Sequence, residues 1–251
     1  MMTHAHSVPL KTIWPSICAE AKFVRTKEPT LSAFIQNNVL TAEGILPSLG
    51  RILSTKLASH EVSAASLLGV FMTVYQASPR LEESAQYDLI STMQNDPAAH
   101  DFITPFLFFK GYHALQAYRL SHWFWHQGRQ HFALHLQNRI SEQFGVDIHP
   151  AVAMGSGIML DHATGIVIGE TAVVEDNVLF WHGVTLGSKI LTSGDRHPKI
   201  RQGVHLGAGS TVLGPVEIGA NARVAAGSVV VDNVEPGAIV AGIPAKVIGA
   251  H

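Results

Sequence analysis

Three short groups of polar residues interrupt an otherwise apolar second half of the chain. They are Asp147 with His149, the pair Asp161-His162, and Asp195-Arg196-His197. A histidine is the usual general base near neutral pH because its pKa lies in that range. A carboxylate that fixes the histidine tautomer makes this base more effective. Taken singly, an Asp-His pair is also typical of a turn, and the third group of a solvated loop tip. Taken together, the three groups favour acid–base chemistry.

Aliphatic residues recur at every sixth position through the same region. The twelve positions, eleven of which hold Ile, Leu, Val or Met, are Ile148, Met154, Leu160, Ile166, Ala172, Val178, Val184, Leu206, Val212, Ile218, Val224 and Val230. A period of six is neither the 3.6 of a helix nor the 2 of a strand. It indicates the hexapeptide repeat of a parallel β-helix, whose coils of three short strands span roughly 18 residues. Asp147 precedes His162 by 15 residues, so we expect the two on successive coils, where a contact is feasible.

The two runs of this repeat are out of phase. Val184 and Leu206 are 22 residues apart, which is not a multiple of six. The chain must therefore leave the β-helix between them, and the polar segment 188–198 is the predicted place. Loops that leave a rigid scaffold commonly carry function, and this one contains Asp195, Arg196 and His197.

The composition of the chain changes near residue 145. Of the 22 glycines, 5 precede residue 145 and 17 lie from it onward. Valine is also enriched in the second part and leucine in the first. Glycine suits tight corners, valine suits strands and leucine suits helices. We predict an α+β protein with an α-helical domain over residues 1–144 and a β-helix domain over residues 145–251.

Several local signals predict helices in the first part. Ser78-Pro79, Asp96-Pro97 and Thr104-Pro105 each place an N-cap residue before a proline at the first helical position. The apolar spacing then predicts one helix from Pro105 to about Gln127 and a last helix from about Arg129 to Phe144-Gly145.

Charge and cysteine content exclude several classes of protein. The net charge of −2 gives no electrostatic basis for a nucleic-acid or anionic-membrane partner. Cys18 is the single cysteine, which excludes an intramolecular disulfide and a cysteine-rich zinc site. The longest apolar stretches, residues 67–75 and 102–109, are shorter than a membrane span, and the first twenty residues lack the apolar stretch of a signal peptide. We therefore expect a cytoplasmic protein.

Six strings of residues resemble serine O-acetyltransferases, a family within the hexapeptide-repeat acyltransferases. They occupy residues 110–119, 147–150, 159–165, 167–172, 194–200 and 241–246. The helical string Lys-Gly-Tyr-His-Ala-Leu-Gln-Ala-Tyr-Arg and the string Met-Leu-Asp-His-Ala-Thr-Gly are more specific than the hexapeptide repeat alone. The resemblance extends from about residue 80 to residue 249.

This resemblance implies both a fold and a reaction. The fold is an α-helical oligomerisation domain followed by a left-handed parallel β-helix, assembled as trimers that pair into hexamers with active sites between chains. The reaction is transfer of acetyl from acetyl-CoA to the hydroxyl of L-serine, by direct attack and without a metal, giving O-acetyl-L-serine for cysteine biosynthesis. Feedback inhibition by L-cysteine is a further expectation from the family.

The resemblance also implies roles for individual residues. His162 would be the base, Asp147 would orient it, and His197 would line the same pocket. Arg196 would pair with the serine carboxylate, while Asp96 and Asp161 would hold the ammonium group. Asp96 precedes Pro97, so it is equally suited to cap a helix. The residues that match the family's CoA site are Gly187, Ala208, Gly209, Ala226 and Lys246.

Two segments depart from the family pattern. Where the family usually has Gly-Gly-Thr-Gly, this chain has Gly187-Ser188-Lys189-Ile190, and a side chain at Ser188 restricts close approach of the backbone to the thioester. The sequence closes with residues 248–251 in place of the flexible tail, ending in isoleucine, with which family members often dock into cysteine synthase. We therefore do not extend that complex to this chain.

Other readings of these patterns are an acetyltransferase for another small hydroxyl or amine acceptor and a catalytically silent regulatory paralogue. A γ-class carbonic anhydrase also combines a β-helix with histidines, and the coils carry five: His149, His162, His182, His197 and His205. The helical half and Arg196 beside His197 argue against that zinc site. The pairs His122/His126 and His131/His135 have helical i, i+4 spacing without the Glu of a zinc motif, which favours packing.

Overall fold

The computed structural model describes residues 8–190 and 193–250. Two positions of the predicted excursion, 191 and 192, lie outside the described residues, as do residues 1–7 and 251. The α-helices within the described residues are α1 (Leu10–Lys27), α2 (Ser32–Ile35), α3 (Ile45–Leu57), α4 (Ala64–Ala77), α5 (Arg80–Asn95), α6 (Ile103–Phe108), α7 (Lys110–His126) and α8 (Gln130–Phe144). A 3₁₀ turn, Pro29–Leu31, and a π turn, Gln36–Leu40, flank α2.

The ends of these helices follow local chemistry. The side chain of Ser63 caps α4 by accepting a hydrogen bond from the Ser66 backbone N–H at 3.2 Å. Gly145 ends α8 in the left-handed conformation, with φ of 66°, as glycine does without strain. The predicted last helix is thus found, and a helix follows Ser78-Pro79 as predicted, although Pro79 and not Ser78 occupies the N-cap position and α5 starts at Arg80.

Two of the helix predictions are wrong. No helix follows Asp96-Pro97, because Asp96 ends α5 and its carboxylate accepts a hydrogen bond from the Ala98 N–H at 2.8 Å in a turn. The single helix predicted from Pro105 is two helices, α6 and α7, separated at Phe109. Asp101, and not Thr104, caps α6, since its carboxylate accepts from the Thr104 N–H at 2.9 Å.

The second part of the chain forms three parallel sheets from short strands. The strands are β1 (Val146–Ile148), β2 (Ala153–Met154), β3 (Met159–Leu160), β4 (Ile166–Ile168), β5 (Val173–Val174), β6 (Leu179–Phe180), β7 (Thr185–Gly187), β8 (Lys199–Ile200), β9 (His205–Leu206), β10 (Thr211–Leu213), β11 (Glu217–Ile218), β12 (Arg223–Val224), β13 (Val229–Val230), β14 (Ala238–Gly242) and β15 (Ala245–Ala250). The sheet orders are β1-β4-β7-β10-β13, β2-β5-β8-β11 and β3-β6-β9-β12-β14-β15. From β1 to β13 every third strand falls on the same face, so the strands form the predicted β-helix, and β14 continues the sheet of β12. Among the described strands only β15 runs antiparallel, against β14.

The interior of the β-helix confirms the period of six. Eleven of the twelve hexad positions are buried and Met154 is partly buried, so each coil contributes aliphatic side chains to one continuous core. Val173 pairs with Lys199, 26 residues later, whereas Lys199 pairs with Glu217 after 18. The longer coil contains the predicted excursion, between β7 and β8.

A buried charge network fixes the helices against the first coil. Asp88 on α5 accepts hydrogen bonds from Arg119 at 2.7 Å and from Gln116 at 2.9 Å, both on α7. The same carboxylate accepts from the Ile158 N–H at 2.9 Å, and Arg119 donates to the Gly155 carbonyl at 2.8 Å. A buried ion pair needs such full satisfaction of its polar atoms to be tolerated. The network therefore sets where the end of α5 and the start of α7 lie relative to the coils.

None of the helices within residues 8–190 and 193–250 is both long enough and apolar enough to cross a membrane.

Candidate active site

A groove of about 410 Å³ lies between the helices and the first coil. Its polar lining includes Asp96 at the end of α5, Lys110 at the start of α7, and Asp161 with His162 after β3. Three of the predicted site residues, Asp96, Asp161 and His162, are thus brought together by elements that are far apart in sequence. Gly111 allows this approach, because a Cβ there would lie 2.0 Å from the Leu160 carbonyl oxygen.

His162 projects from a tight corner of the β-helix. Its backbone φ is 54° and that of Ala163 is 59°, a left-handed conformation that non-glycine residues rarely adopt. The imidazole is 77% exposed, and its Nε2 lies 3.8 Å from Oδ1 of Asp161. This geometry places an accessible proton acceptor at the mouth of the groove, beside a carboxylate.

The structure does not bring Asp147 to His162. Asp147 accepts a hydrogen bond from the Gln137 side chain at 2.6 Å, and the described residues include no hydrogen bond or ion pair between Asp147 and His162. The first coil is 20 residues long, not 18, so that Asp147 pairs with Val167, five residues beyond the histidine. The carboxylate beside His162 in this structure is that of Asp161.

Corners of successive coils stack above His162 in one continuous edge. The Gly183 N–H donates to the Thr164 carbonyl at 2.9 Å, and the corresponding bonds join Gly209 to His182 and Gly227 to Ala208, both at 2.8 Å. We call residues 161–165, 181–183, 207–209 and 225–227 the His162 edge. Three residues predicted to bind CoA, namely Ala208, Gly209 and Ala226, lie along it. Lys246 is exposed on β15, where it pairs with Ala241 of β14.

A second group of predicted residues lies on a different edge, formed by residues 169–171, 187–188 and 194–198. We call it the His197 edge. His197 is only 6% exposed, and its ring occupies the space where a side chain at Gly169 would be. Arg196 forms an ion pair with Glu170 at 2.6 Å. Gly187, predicted to bind CoA, belongs to this edge.

Electrostatics on the His197 edge favour neutral histidine and ionised glutamate. Burial lowers the pKa of His197, and the positive charge of Arg196 lowers it further. The hydrogen bond from Arg196 lowers the pKa of the Glu170 carboxyl. His149 lies nearby with its ring 4.9 Å from that of Trp125, and burial lowers its pKa as well.

One chain does not bring the two edges together. They flank opposite ends of the face that contains β4, whose three residues span about 10 Å. The groove with His162 and the surface cavity with Arg196 have no lining residue in common.

Comparison with known proteins identifies the family. The profile described as "Serine acetyltransferase, N-terminal" matches residues 13–117, and that of the bacterial transferase hexapeptide (six repeats) matches residues 197–232. The serine acetyltransferase of Salmonella typhimurium is 48% identical over 240 residues, which cover 96% of this chain and 88% of that protein. The chain belongs to the serine acetyltransferase family.

Solved structures of this family have the same fold. Serine acetyltransferase from Brucella abortus, in complex with coenzyme A, matches with a TM-score of 0.94 and 45% identity, covering 99% of this chain and 98% of that one. A serine acetyltransferase in complex with cysteine matches with a TM-score of 0.95 and 43% identity, covering 97% and 95%. The resemblance seen in the sequence motifs is confirmed.

Two polar residues of this serine acetyltransferase fold were missed by sequence reasoning. Lys110 lines the groove and donates a hydrogen bond to the Thr164 hydroxyl. Thr171 contacts His197 through its hydroxyl and its backbone N–H. Both belong to strings that carry the family resemblance, but a lone Lys or Thr in such a string has no spacing signal of its own.

The i, i+4 pair His122/His126 makes packing contacts within the protein. His122 hydrogen bonds through Nδ1 to the Pro150 carbonyl at 2.8 Å, and its ring lies against that of His126. Within the described parts of the chain, no three His, Cys, Asp or Glu residues are grouped so that they could hold a metal ion.

Proposed function

We propose that this chain transfers the acetyl group of acetyl-CoA to the hydroxyl of L-serine, with His162 as the general base. The observation that carries the proposal is the groove in which an exposed imidazole meets the carboxylates of Asp96 and Asp161. Family membership at 48% identity over nearly the whole chain supports the same reaction.

The reaction forms a carbon–oxygen bond, breaks a carbon–sulfur bond and needs one proton acceptor. His162 takes the proton of the serine hydroxyl as the oxygen attacks the thioester carbonyl carbon. Collapse of the tetrahedral intermediate breaks the carbon–sulfur bond, and the thiolate of CoA takes the proton from His162. General-base catalysis of this kind contributes about 10²–10⁴ in rate.

Charge complementarity supports the serine site. Asp96 and Asp161 offer two carboxylates to the substrate ammonium. The hydrogen bond from Ala98 engages one oxygen of Asp96, so the turn and the ammonium contact are compatible. Arg196 is the proposed partner of the serine carboxylate, since its planar guanidinium suits two-pronged binding.

Small residues along the His162 edge support a path for acetyl-CoA. Ala208, Gly209 and Ala226 lie on the coils above His162, where an extended pantetheine arm meets little steric hindrance. Lys246 and Gly187 are proposed as further contacts, with Lys246 meeting a phosphate. The related Brucella abortus enzyme was solved with coenzyme A.

The site is proposed to form between chains of a trimer. Because His162 and His197 lie on different edges of one chain, the His197 edge of a neighbouring chain would complete the groove. Pairing of trimers through the helical domain, over residues 1–144, gives the proposed hexamer. The single cysteine fits the reducing cytoplasm as its location.

L-Cysteine is the proposed feedback inhibitor, because it has the same ammonium and carboxylate as serine. A related structure contains cysteine. A titration with micromolar cysteine should lower turnover in competition with serine, and a flat response would refute inhibition.

A turnover assay tests the reaction directly. Release of free CoA is followed with a thiol reagent, using acetyl-CoA with L-serine, D-serine, L-threonine, L-homoserine and an amino sugar in turn. We expect the highest kcat/KM with L-serine. A higher value with another acceptor would identify a different acetyltransferase, and zero turnover with intact CoA binding would indicate a silent paralogue.

A further inference from the structure

The tautomer of His197 is fixed by its neighbours. The backbone N–H of Thr171 donates to Nδ1 of His197 at 3.1 Å, and the hydroxyl of Thr171 lies 2.8 Å from the same nitrogen. A backbone amide can only donate, so Nδ1 is an acceptor and the neutral ring has its hydrogen on Nε2.

The hydroxyl of Thr171 has a complete set of partners. It accepts from the backbone N–H of Arg196 at 3.0 Å and from that of His197 at 3.1 Å. Its own hydrogen can go to Nδ1 or to the carboxylate of Asp195, and neither arrangement places a hydrogen on Nδ1. Lys199 ties this turn down by donating to the Thr171 carbonyl at 2.7 Å and to Asp195 at 2.6 Å.

The ring is also held in orientation by the glycine beneath it. A Cβ at Gly169 would lie 2.0, 2.2 and 2.7 Å from Nε2, Cδ2 and Cε1 of His197. Since all three atoms are this near, the face of the ring rests on the glycine. No hydrogen bond to Nε2 is present within the described residues, so this donor is left for a ligand.

We propose that His197 serves acetyl transfer as a fixed hydrogen-bond donor from Nε2–H to the thioester carbonyl oxygen, and that Thr171 is its positioning residue. His197 is then not a second base. The inference rests on the proposed function. As serine oxygen bonds to the carbonyl carbon, the carbonyl oxygen gains negative charge and the Nε2–H group stabilises it. The proton of serine goes to His162, and His197 keeps its own throughout.

The charges around His197 agree with a neutral donor. Arg196 and Lys199 oppose protonation, whereas Glu170 and Asp195 favour it, and His149 lies beyond Glu170. Burial and Arg196 are the larger influences, so the pKa of His197 is lowered. Protonation would also require Nδ1 to give up the Thr171 N–H.

Variants of His197 distinguish a role as hydrogen-bond donor from a role as general base. The amide nitrogen of Gln reaches the position of Nε2, whereas that of Asn reaches only the position of Nδ1. If His197 is a hydrogen-bond donor, we expect the kcat of His197→Gln to stay within about tenfold of wild type. The kcat of His197→Asn and of His197→Ala should fall by a factor of about 10²–10³. The acid side of the kcat/KM profile should be unchanged in His197→Gln. Equal loss in all three variants, normal turnover in all three, or a changed serine KM with normal kcat would overturn the proposal.

Variants of Thr171 provide a second test of the proposal, with Thr171→Ser as the conservative control. Thr171→Val should lower kcat by about tenfold, because the Thr171 hydroxyl holds both Nδ1 of His197 and the backbone N–H groups of Arg196 and His197. Thr171→Ser should restore kcat. Equal kcat in the Val and Ser variants would contradict the positioning role.

NMR spectroscopy tests the tautomer of His197 without depending on turnover. In protein labelled with ¹⁵N-histidine, the signals absent from His197→Gln belong to His197. At pH 7.5 they should show a protonated Nε2 and a bare Nδ1, and the opposite tautomer or an imidazolium would overturn the inference. Failure of wild-type turnover with serine would refute the proposed function alone, so the two failures are distinguishable.

Discussion

The two edges of the β-helix hold their histidines in opposite ways. His162 stands 77% exposed on a left-handed corner, with Asp161 as its nearest acid. His197 is 6% exposed, lies flat on Gly169 and is hydrogen bonded through Nδ1. A group that gains and loses a proton in each cycle benefits from access to solvent and substrate, whereas a hydrogen-bond donor benefits from rigidity. The contrast supports the two proposed roles, a base on the His162 edge and a hydrogen-bond donor on the His197 edge.

The largest expected effect on kcat comes from a substitution on the His162 edge. His162→Ala should lower kcat by about 10² or more, because the variant lacks the proposed general base. CoA binding measured by calorimetry should be unchanged. Turnover close to wild type would refute the assignment of the base.

A methyl group placed under the rigid ring should have the next largest effect. Gly169→Ala places a Cβ 2.0 Å from Nε2 of His197, so the ring must move and kcat should fall by about 10–10². Gly69→Ala is the matched control, since a Cβ there meets no atom within 4 Å and α4 should keep or gain stability. Equal kcat for both variants would show that the ring position does not matter.

The acid that assists His162 can be identified by comparing two variants. Asp161 lies beside His162, whereas Asp147 is bonded to Gln137. From this geometry we expect Asp161→Asn to lower kcat/KM by about tenfold or more and Asp147→Asn to have the smaller effect. The reverse order would favour Asp147 as the acid that orients His162, which is the role that the family resemblance implies.

A third kind of histidine, in the helical half, should affect stability and leave catalysis unchanged. Burial lowers the pKa of His113 to about 4, and its Nε2 lies 2.8 Å from the Phe106 carbonyl oxygen. As the pH falls, this histidine becomes protonated in the unfolded chain before it does so in the folded protein. The free energy of unfolding therefore keeps its full value above the unfolded pKa of about 6.5 and decreases by about 3 kcal/mol between there and pH 4. His113→Gln should flatten this loss.

The measurement is the thermal midpoint of wild type and His113→Gln at pH 7 and pH 4.5, at one protein concentration. Parallel pH profiles for the two proteins would contradict the assignment, since they would place the acid sensitivity in other groups.

The sequence patterns predicted the architecture well, for physical reasons. Aliphatic residues at every sixth position define which side chains face inward, and a break of 22 residues between Val184 and Leu206 located the excursion. The helical half was less predictable. The break at Phe109 depends on how Gly111 packs against Leu160, a tertiary contact without a local signal.

The sequence indicated which residues belong to the candidate site, but not how they are arranged in space. Motifs indicated His162, Asp161 and Asp96, which the groove brings together. Counting by coils of 18 residues misplaced Asp147, because the first coil has two residues more. Thr171 was missed, since its importance comes from the backbone geometry of the turn around it.

Complementation between chains tests most directly whether the two edges meet across an interface. His162→Ala and His197→Ala chains, each with little activity alone, are co-expressed with different tags and purified through both. If each site takes one histidine from each of two chains, about one site in three is intact in a mixed trimer and about one in four in mixed hexamers, so turnover should recover to about a quarter to a third of wild type. Mixed assemblies no more active than the single variants would contradict a site shared between the His162 edge and the His197 edge.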